Sequence, residues 1–456
     1  MSTPKQHTFL IRMLPAFIKG RIEHRPGLVN ILDNIGWLFV DKIMRMGVGL
    51  LVGVWVARYL GPEQFGLFNF ATALVVLFGT VAGLGLQDIV VRDIVRDSTT
   101  KEETLGSSAV LQLLSGLITY GLILVTIFWM RPDDLLAKAL VAILGSMLLF
   151  KASDVVMFWF ESQVLSKYTV WLQNGSFLVF ALIKVSLILN NAPLTTFAWA
   201  TMAEALMVAL LLAVMLSLRG PGLSQLRCTL MRTKSLLKDS WPLMLSSVAI
   251  IIYTKIDQIM LGQMVGNEAV GIYSAALRIS EVWYFIPMVI GSSVFPAILE
   301  AKKRSETDYI KRLQYLYDAL CLFTIPLSGL FWIYSDWIVN SLYGVNFKDA
   351  SPILMIHIWN TVLVSLGVAR GKWLLAENLQ KFGTYYIGIS LMVNIAGNYL
   401  LIPHYGGVGA AWATLISTLT ATIIAPYNFK ETRLSVIMLL RSFQIWRLPL
   451  SLLSKD

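Results

Sequence analysis

The sequence predicts an all-α polytopic membrane protein of about twelve transmembrane helices, arranged as two six-helix lobes related by a parallel internal repeat. Three observations predict it: composition, the run of apolar windows, and a turn that occurs twice. The 456 residues are 56% hydrophobic and 14% charged, with a mean hydropathy of +0.68. A soluble globular chain carries roughly 25% charged residues, so most of this one is built for lipid. Apolar stretches of about 18 residues or more read as spanning helices.

Windows of that kind cover residues 35–58, 65–86, 107–129, 135–160, 169–190, 194–218, 241–262, 271–298, 315–339, 352–375, 382–402 and 406–427. Loops between them are short, the longest being 87–106, 219–240 and 299–314. Of the 37 Lys and Arg residues, the two tails and the even-numbered loops hold 25 and the odd-numbered loops only Arg58, Arg131 and Lys348. Basic residues collect in cytoplasmic loops, so both termini are expected in the cytoplasm. The bias also accounts for the net charge of +10 without nucleic acid.

The basic stretch 219–240 divides the windows six and six. An even number of spans per half gives both halves the same orientation, hence a parallel repeat. The expected organisation is a cytoplasmic interfacial segment (1–30), a first lobe (31–218), a linker (219–240), a second lobe (241–427) and a cytoplasmic interfacial tail (428–456). Residues 1–30 do not read as a cleavable signal, because Lys5, Arg12, Lys19, Arg21 and Arg25 interrupt every apolar patch; an amphipathic surface segment fits better.

The repeat itself is legible. Gly61, Glu63, Gly66 and Phe68 match Gly266, Glu268, Gly271 and Tyr273 at one offset of 205 residues, and an apolar run carrying charges precedes each turn. Such repeats are the usual build of secondary transporters, with the cargo site between the halves.

Charges inside apolar windows are costly, roughly 2.5–3.5 kcal/mol each at mid-helix. Here they are Asp41, Lys42, Arg45, Lys151, Asp154, Lys184, Glu204, Lys255, Asp257, Arg278 and Glu281. Facing lipid, the set would cost on the order of 30 kcal/mol, more than a fold has to spare, so a polar interior is expected. Asp41 and Arg45 share a helix face, and Gly49, Gly53 and Ala57 extend that stripe with small residues. Lys151 with Asp154, and Arg278 with Glu281, are three apart and read either as structural ion pairs or as site groups. Lys184 has no acid within four positions of its own helix, although Glu204 on the next span is a candidate partner. Lys138, Arg370 and Lys372 lie nearer span ends, where they add positive potential or snorkel.

No enzyme constellation is present. There is no Gly-x-x-x-x-Gly-Lys loop, no nucleophile set with a supporting motif, and no metal-ligand spacing among His7, His24, His357, His404, Cys228 and Cys321. Neither cofactor nor metal is expected, and the short external loops leave little room for a catalytic domain.

Four stretches carry a resemblance: Leu60-Gly61-Pro62-Glu63-Gln64-Phe65-Gly66; Lys255-Ile256-Asp257-Gln258 leading to Val270-Gly271-Ile272-Tyr273 and Arg278; Asn394 and Asn398 before Leu401-Ile402-Pro403; and Tyr405-Gly406-Gly407-Val408-Gly409-Ala410-Ala411-Trp412-Ala413-Thr414. With them the chain resembles the polysaccharide transporters of the multidrug/oligosaccharidyl-lipid/polysaccharide (MOP) exporter superfamily, the O-antigen repeat-unit flippases among them. The resemblance implies translocation of an undecaprenyl-pyrophosphate-linked oligosaccharide from the cytoplasmic to the periplasmic leaflet of a bacterial inner membrane. It implies alternating access, coupling to H+ or Na+, and work beside a polysaccharide polymerase and chain-length machinery. Lys42, Arg45, Lys151, Lys184, Lys255 and Arg278 are the expected contacts for pyrophosphate or acidic sugars, since Arg and Lys bind phosphate oxygens. Asp41, Asp154, Glu204, Asp257 and Glu281 are the expected ion-coupling or charge-pairing groups. Trp171, Trp283 and Tyr284 are candidates for stacking on sugar faces, against the reading of such rings as membrane anchors. Two alternatives stay open: a multidrug antiporter of the same superfamily, which would want an acid-biased cavity, and a peptidoglycan-precursor flippase, which typically has fourteen spans.

Overall fold

The computed structural model describes residues 26–444, with side chains from Met44 onward. The interfacial reading of residues 1–30 and the end of the tail therefore fall largely outside the described residues, as do the side chains of Asp41 and Lys42. Every regular element among the described residues is helical.

Ten stretches are long and apolar enough to cross a membrane by length and composition. Two of them, Met44–Arg96 and Gln380–Asn428, contain a sharp break and supply two crossings each, which gives the expected twelve. The first break lies in α1 (Pro26–Ala82) at Gly61, whose φ of 71° is left-handed, followed by Pro62. A residue with a Cβ is strained there, and proline cannot continue the hydrogen-bond ladder of the preceding turn. One apolar run thus becomes two arms.

The remaining helices of the first half are α2 (Leu86–Arg96), α3 (Lys101–Met130), α4 (Leu135–Gly145), α5 (Asp154–Ser162), α6 (Lys167–Leu189) and α7 (Leu194–Arg219). Eight residues of 3-10 helix, Ser146–Ser153, join α4 to α5. That is longer than the usual three or four residues. It lies against α3, where a Cβ on Gly116 would overlap the Leu148 carbonyl.

The expected linker is only partly a loop. After an extended Gly220 and a left-handed Gly222, α8 (Leu230–Met264) begins eleven residues before its apolar window does. This approach is clamped to the α2–α3 corner. Arg227 N donates to Glu102 O at 3.2 Å, Thr229 N to Ser107 Oγ at 3.3 Å, and Arg232 bridges Asp93 at 2.8 Å and Thr104 Oγ1 at 3.0 Å. Arg92 bridges Asp93 and Asp239 at 2.8 Å each. Hydropathy windows stop at such charges, whereas a helix continues wherever its backbone is satisfied.

Then follow α9 (Asn267–Glu281), α10 (Phe285–Arg304), α11 (Glu306–Ile333), α12 (Ser335–Tyr343), α13 (Ala350–His357), α14 (Asn360–Ala376), α15 (Gln380–Leu419), α16 (Ala425–Asn428) and α17 (Arg433–Ser442). α15 is broken at Gly406 (φ 53°, ψ −130°) after Pro403, and its two arms pack so closely that a Cβ on Gly409 would overlap the Leu401 carbonyl. α17 lies in the expected tail, yet Met438 and Leu439 are buried with Tyr317 and Leu320, and Gln314 Nε2 donates to Met438 O at 3.0 Å. One face of α17 is thus buried, while Leu434, Ile437 and Leu440 on the other remain exposed.

The chain divides into two compact units, 1–56 with 74–248, and 57–73 with 249–456. The boundaries fall inside helices, and the first repeat turn belongs to the second unit. There it meets its own copy. A Cβ on Gly66 would overlap Asn267 O, and a Cβ on Gly271 would overlap Pro62 O; Asn267 and Pro62 are themselves related by the 205-residue offset. The repeated glycines are where the two turns touch backbone to backbone.

Gly66→Ala and Gly271→Ala should each lower stability by more than about 3 kcal/mol, because backbone cannot move aside as a side-chain end can. Gly175→Ala, whose Cβ meets nothing within 4 Å, should change it by less than about 1 kcal/mol. Thermal unfolding of the purified variants in detergent checks both.

Candidate functional site

Within the first unit the helices enclose a cavity of about 770 Å³, inside the range of about 300–1,000 Å³ typical of small-molecule sites. Four of the residues expected from sequence line it: Arg45, Lys151, Asp154 and Glu204. A fifth, Lys184, reaches it through Glu204.

The Arg45 guanidinium sits over the ring of Phe177 at 5.6 Å. One turn earlier on α6, Asn174 Oδ1 accepts from Arg45 Nε at 3.2 Å and Gln173 Oε1 from Nη2 at 3.4 Å. Gln173, Asn174 and Phe177 share a face of α6 by the three-to-four-residue spacing. Lys151 Nζ meets Asp154 at 2.6 Å, where the 3-10 stretch gives way to α5. Lys184 on α6 meets Glu204 on α7 at 3.0 Å, so of its two readings the structure takes the paired one.

In the second unit the focus is Asp257, 4% exposed in α8. Tyr273 of α9 donates to its Oδ2 at 2.7 Å, Asn398 of α15 donates to Oδ1 at 2.6 Å, and the Thr414 hydroxyl completes the set. Asn398 and Thr414 lie on opposite arms of α15, and the break at Gly406 folds both onto the one carboxylate. Asn398 Nδ2 also meets Asn394 Oδ1 at 3.2 Å. Asn398 Oδ1 and Asn394 Nδ2 are buried without a hydrogen-bond partner among the described residues. Carboxylate, amide and hydroxyl oxygens so gathered are the donor set of a hard cation. Among the described residues no three His, Cys, Asp or Glu side chains gather as a metal cluster.

Arg278 and Glu281 do not close into the ion pair that their spacing allows. α9 ends at Glu281, and the Arg278 guanidinium lies instead over the Phe65 ring at 5.5 Å. Lys255 lies half-buried on α8, and Glu281 half-buried at the end of α9. Arg370 is buried, 5.3 Å over Tyr386, and donates to Thr422 O in the π-helical turn Thr420–Ile424. Trp283 packs edge-on against Phe331 at 5.4 Å, with its indole N–H buried, and Trp171 is 63% exposed on α6. Trp171 is not among the residues that line the cavity.

Sequence reasoning missed Gln112, Gln173 and Asn174 in the first unit, and missed Tyr273, Asn394, Asn398 and Thr414 as site residues in the second. Uncharged polar residues barely disturb a hydropathy window. The legible signals were amides inside apolar runs: the adjacent Gln173-Asn174, and Asn394 with Asn398 one turn apart.

The model of the polysaccharide biosynthesis protein family matches residues 31–302, more than half of the chain. The chain belongs to that family. The MatE model matches residues 242–400. A probable low-salt glycan biosynthesis flippase of Haloferax volcanii is 25% identical over 397 residues, 85% of this chain and 81% of that one. A putative O-antigen transporter of Escherichia coli is 20% identical over 403 residues, 86% of this chain and 94% of that one. Among solved structures, a lipid II flippase in an inward closed conformation matches with a TM-score of 0.71 at 16% identity, covering 93% of each chain. An inward-facing multidrug resistance MATE family transporter of the MOP superfamily gives 0.68 at 16% identity over 91% of this chain and 99% of that one. Structure and sequence agree on a multi-pass membrane protein with the MOP superfamily fold, and these relatives are named as transporters, not enzymes.

Lys184→Met would leave Glu204 without its cation. The pair is about one-fifth exposed, so the expected loss is about 2 kcal/mol, below that of a fully buried pair. Lys184→Met with Glu204→Gln should recover most of it. A double-mutant cycle on thermal unfolding reads the coupling.

Proposed function

We propose that this protein is a flippase that moves an undecaprenyl-pyrophosphate-linked oligosaccharide from the cytoplasmic to the periplasmic leaflet of the inner membrane by alternating access, with both termini in the cytoplasm. The observation that carries the reading is the cavity of the first unit, whose walls of ion pairs, amides and hydroxyls lie among membrane-spanning helices. A glycan cannot cross hydrocarbon unaided, because each unpaired polar group costs several kcal/mol and a charge more. A polar cavity supplies substitute partners. The names of the Haloferax and Escherichia relatives support the same reading.

Of the cations expected to meet pyrophosphate, Lys151 and Lys184 are tied into ion pairs and Arg45 into the amides of α6. Lys255 and Arg278, with one glutamate between them in charge, suit the phosphates better. The Asp257 cluster is the candidate for the coupling ion: its carboxylate has no cationic partner among the described residues, and Asn398 Oδ1 is left to donate a lone pair. A polymerase and chain-length machinery are the proposed neighbours in the membrane.

The match to the MatE model favours one rival, an organic-cation antiporter. Such a cargo needs an uncompensated carboxylate in the cavity that takes it; in the first unit's cavity Asp154 and Glu204 already have their lysines and Asp88 lies at the exposed edge.

Deletion of the gene in its polysaccharide-producing host should leave the lipid-linked unit on the cytoplasmic face and remove surface polysaccharide, with restoration by the intact copy. Normal polysaccharide with new sensitivity to cationic drugs would transfer the assignment to the antiporter. Asp257→Asn, nearly isosteric, should cut export at least about tenfold and abolish its response to collapsing the ion gradients; unchanged export and response would remove Asp257 from coupling.

A further inference from the structure

Three cations gather at one corner of the first unit. Lys101 opens α3, Lys167 opens α6 and Arg219 closes α7. Aromatic rings link the three. Lys167 Nζ lies over the Tyr168 ring at 5.2 Å, and the Arg219 guanidinium over the same ring at 5.4 Å. Tyr168 in turn meets Phe160 of α5 at 5.8 Å. The neighbouring Trp159 takes Lys101 Nζ over its own ring at 5.7 Å. Its indole nitrogen would lie 3.1 Å from a Cβ on Gly220, the residue after Arg219.

Other cations of this unit have acids: Lys151, Lys184 and Arg232 each meet a carboxylate within 3.0 Å. Among the described residues, none of Lys101, Lys167 and Arg219 forms such an ion pair. Acids near them in sequence are engaged otherwise. Asp97 accepts from Thr99 N at 3.0 Å, Glu161 from Gln87 Nε2 at 2.9 Å, and Glu103 from the Thr229 hydroxyl. Glu102, beside Lys101 in sequence, makes no ion pair with it. A ring face orients a cation without neutralising it, so the corner keeps a positive surplus. Lys101 and Lys167 are partly exposed and Arg219 is exposed, which leaves the corner open to an anion.

All three cations lie at span ends that the basic-loop bias places in the cytoplasm. Apolar surface begins beside them. Trp171 is one turn beyond Lys167 on α6, and Leu218, Val214 and Leu210 run back from Arg219 along one stripe of α7; all four are exposed. Basic residues above apolar helix faces suit an anionic headgroup whose chain stays in the bilayer, and a soluble phosphate has no use for that apolar surface. A phosphodiester headgroup brings one negative charge. A lipid diphosphate brings two, with oxygens on two phosphorus atoms, and so can engage cations presented by three helices. We propose that Lys101, Lys167 and Arg219 form a docking site for the diphosphate of the lipid-linked cargo in the cytoplasmic leaflet, with Trp159 and Tyr168 orienting the cations. The inference rests on the flippase reading and adds to it where the headgroup is held before transit; Lys255 and Arg278 remain the groups proposed to meet it during transit.

The test uses the purified full chain in phosphatidylcholine nanodiscs and an undecaprenyl diphosphate carrying a photoreactive diazirine beside its headgroup. Label should appear within residues 159–171 and 210–220. Unlabelled undecaprenyl diphosphate should compete it away at a concentration at least about tenfold below that needed of phosphatidylglycerol or inorganic pyrophosphate. Lys101→Gln, Lys167→Gln and Arg219→Gln should each weaken binding about threefold, and the three together at least about tenfold, with a shallower dependence on salt. Lys167→Arg with Arg219→Lys keeps the charges and should keep the affinity, which separates loss of charge from loss of fold. Unchanged labelling in the triple variant would overturn the proposal. Equal or better competition by phosphatidylglycerol would also overturn it, in favour of bulk anionic lipid, and equal competition by inorganic pyrophosphate would do so in favour of a soluble ligand. Labelling as expected by a protein that translocates no lipid-linked glycan would instead overturn the flippase reading and leave the diphosphate site standing.

Discussion

The contact between the two copies of the glycine turn fixes much of what surrounds it. Gly66 and Gly271 each face the backbone of the other turn, at Asn267 and Pro62, with no room for a single added carbon. Packed this closely, the turns set where the second arm of α1 and the start of α9 run. That in turn places Phe65 under Arg278 and Tyr273 against Asp257. The copies have since diverged where chemistry matters. The positions equivalent to Asp257 and Tyr273 are Val52 and Phe68, so the first copy keeps the steric contact and lacks the polar one. Symmetry supplies the scaffold, and its breaking supplies a site.

Charges inside the membrane are held differently in the two units. The first unit uses ion pairs, Lys151 with Asp154 and Lys184 with Glu204, and holds Arg45 on two amide oxygens and a ring. The second unit surrounds Asp257 with three donors and, among the described residues, no lysine. Paired charges make a wall that is polar without being strongly charged. A carboxylate held by neutral donors is the group we propose for ion coupling.

Hydropathy made the twelve crossings legible, because lipid demands length and apolarity of each span. The repeat made the turns legible, because backbone contact tolerates only glycine at Gly66 and Gly271. The Lys151–Asp154 pair was readable as an i, i+3 spacing, whereas the identically spaced Arg278 and Glu281 fall where α9 ends and Phe65 intrudes. Lys184 and Glu204 are twenty residues apart, and only the packing of α6 on α7 chooses between a ligand contact and a pair. The Asp257 cluster was hidden for a related reason: Asn398 and Thr414 converge only because α15 doubles back at Gly406. Gln112 carries no charge and disturbs no window, so burial alone reveals it. The linker arginines, counted as markers of topology, turn out also to tie α8 to the α2–α3 corner.

Whether this chain alone moves a lipid-linked glycan across a bilayer is read by reconstituting the purified protein into vesicles. These hold a fluorescent undecaprenyl-pyrophosphate disaccharide in both leaflets, and a membrane-impermeant quencher is added outside. The quenched fraction should rise from the outer leaflet's share toward the whole when the protein is present, and stay at the outer share in protein-free vesicles. A quenched fraction that never exceeds the outer share, in vesicles where the same protein exchanges an organic cation, would contradict the flippase reading.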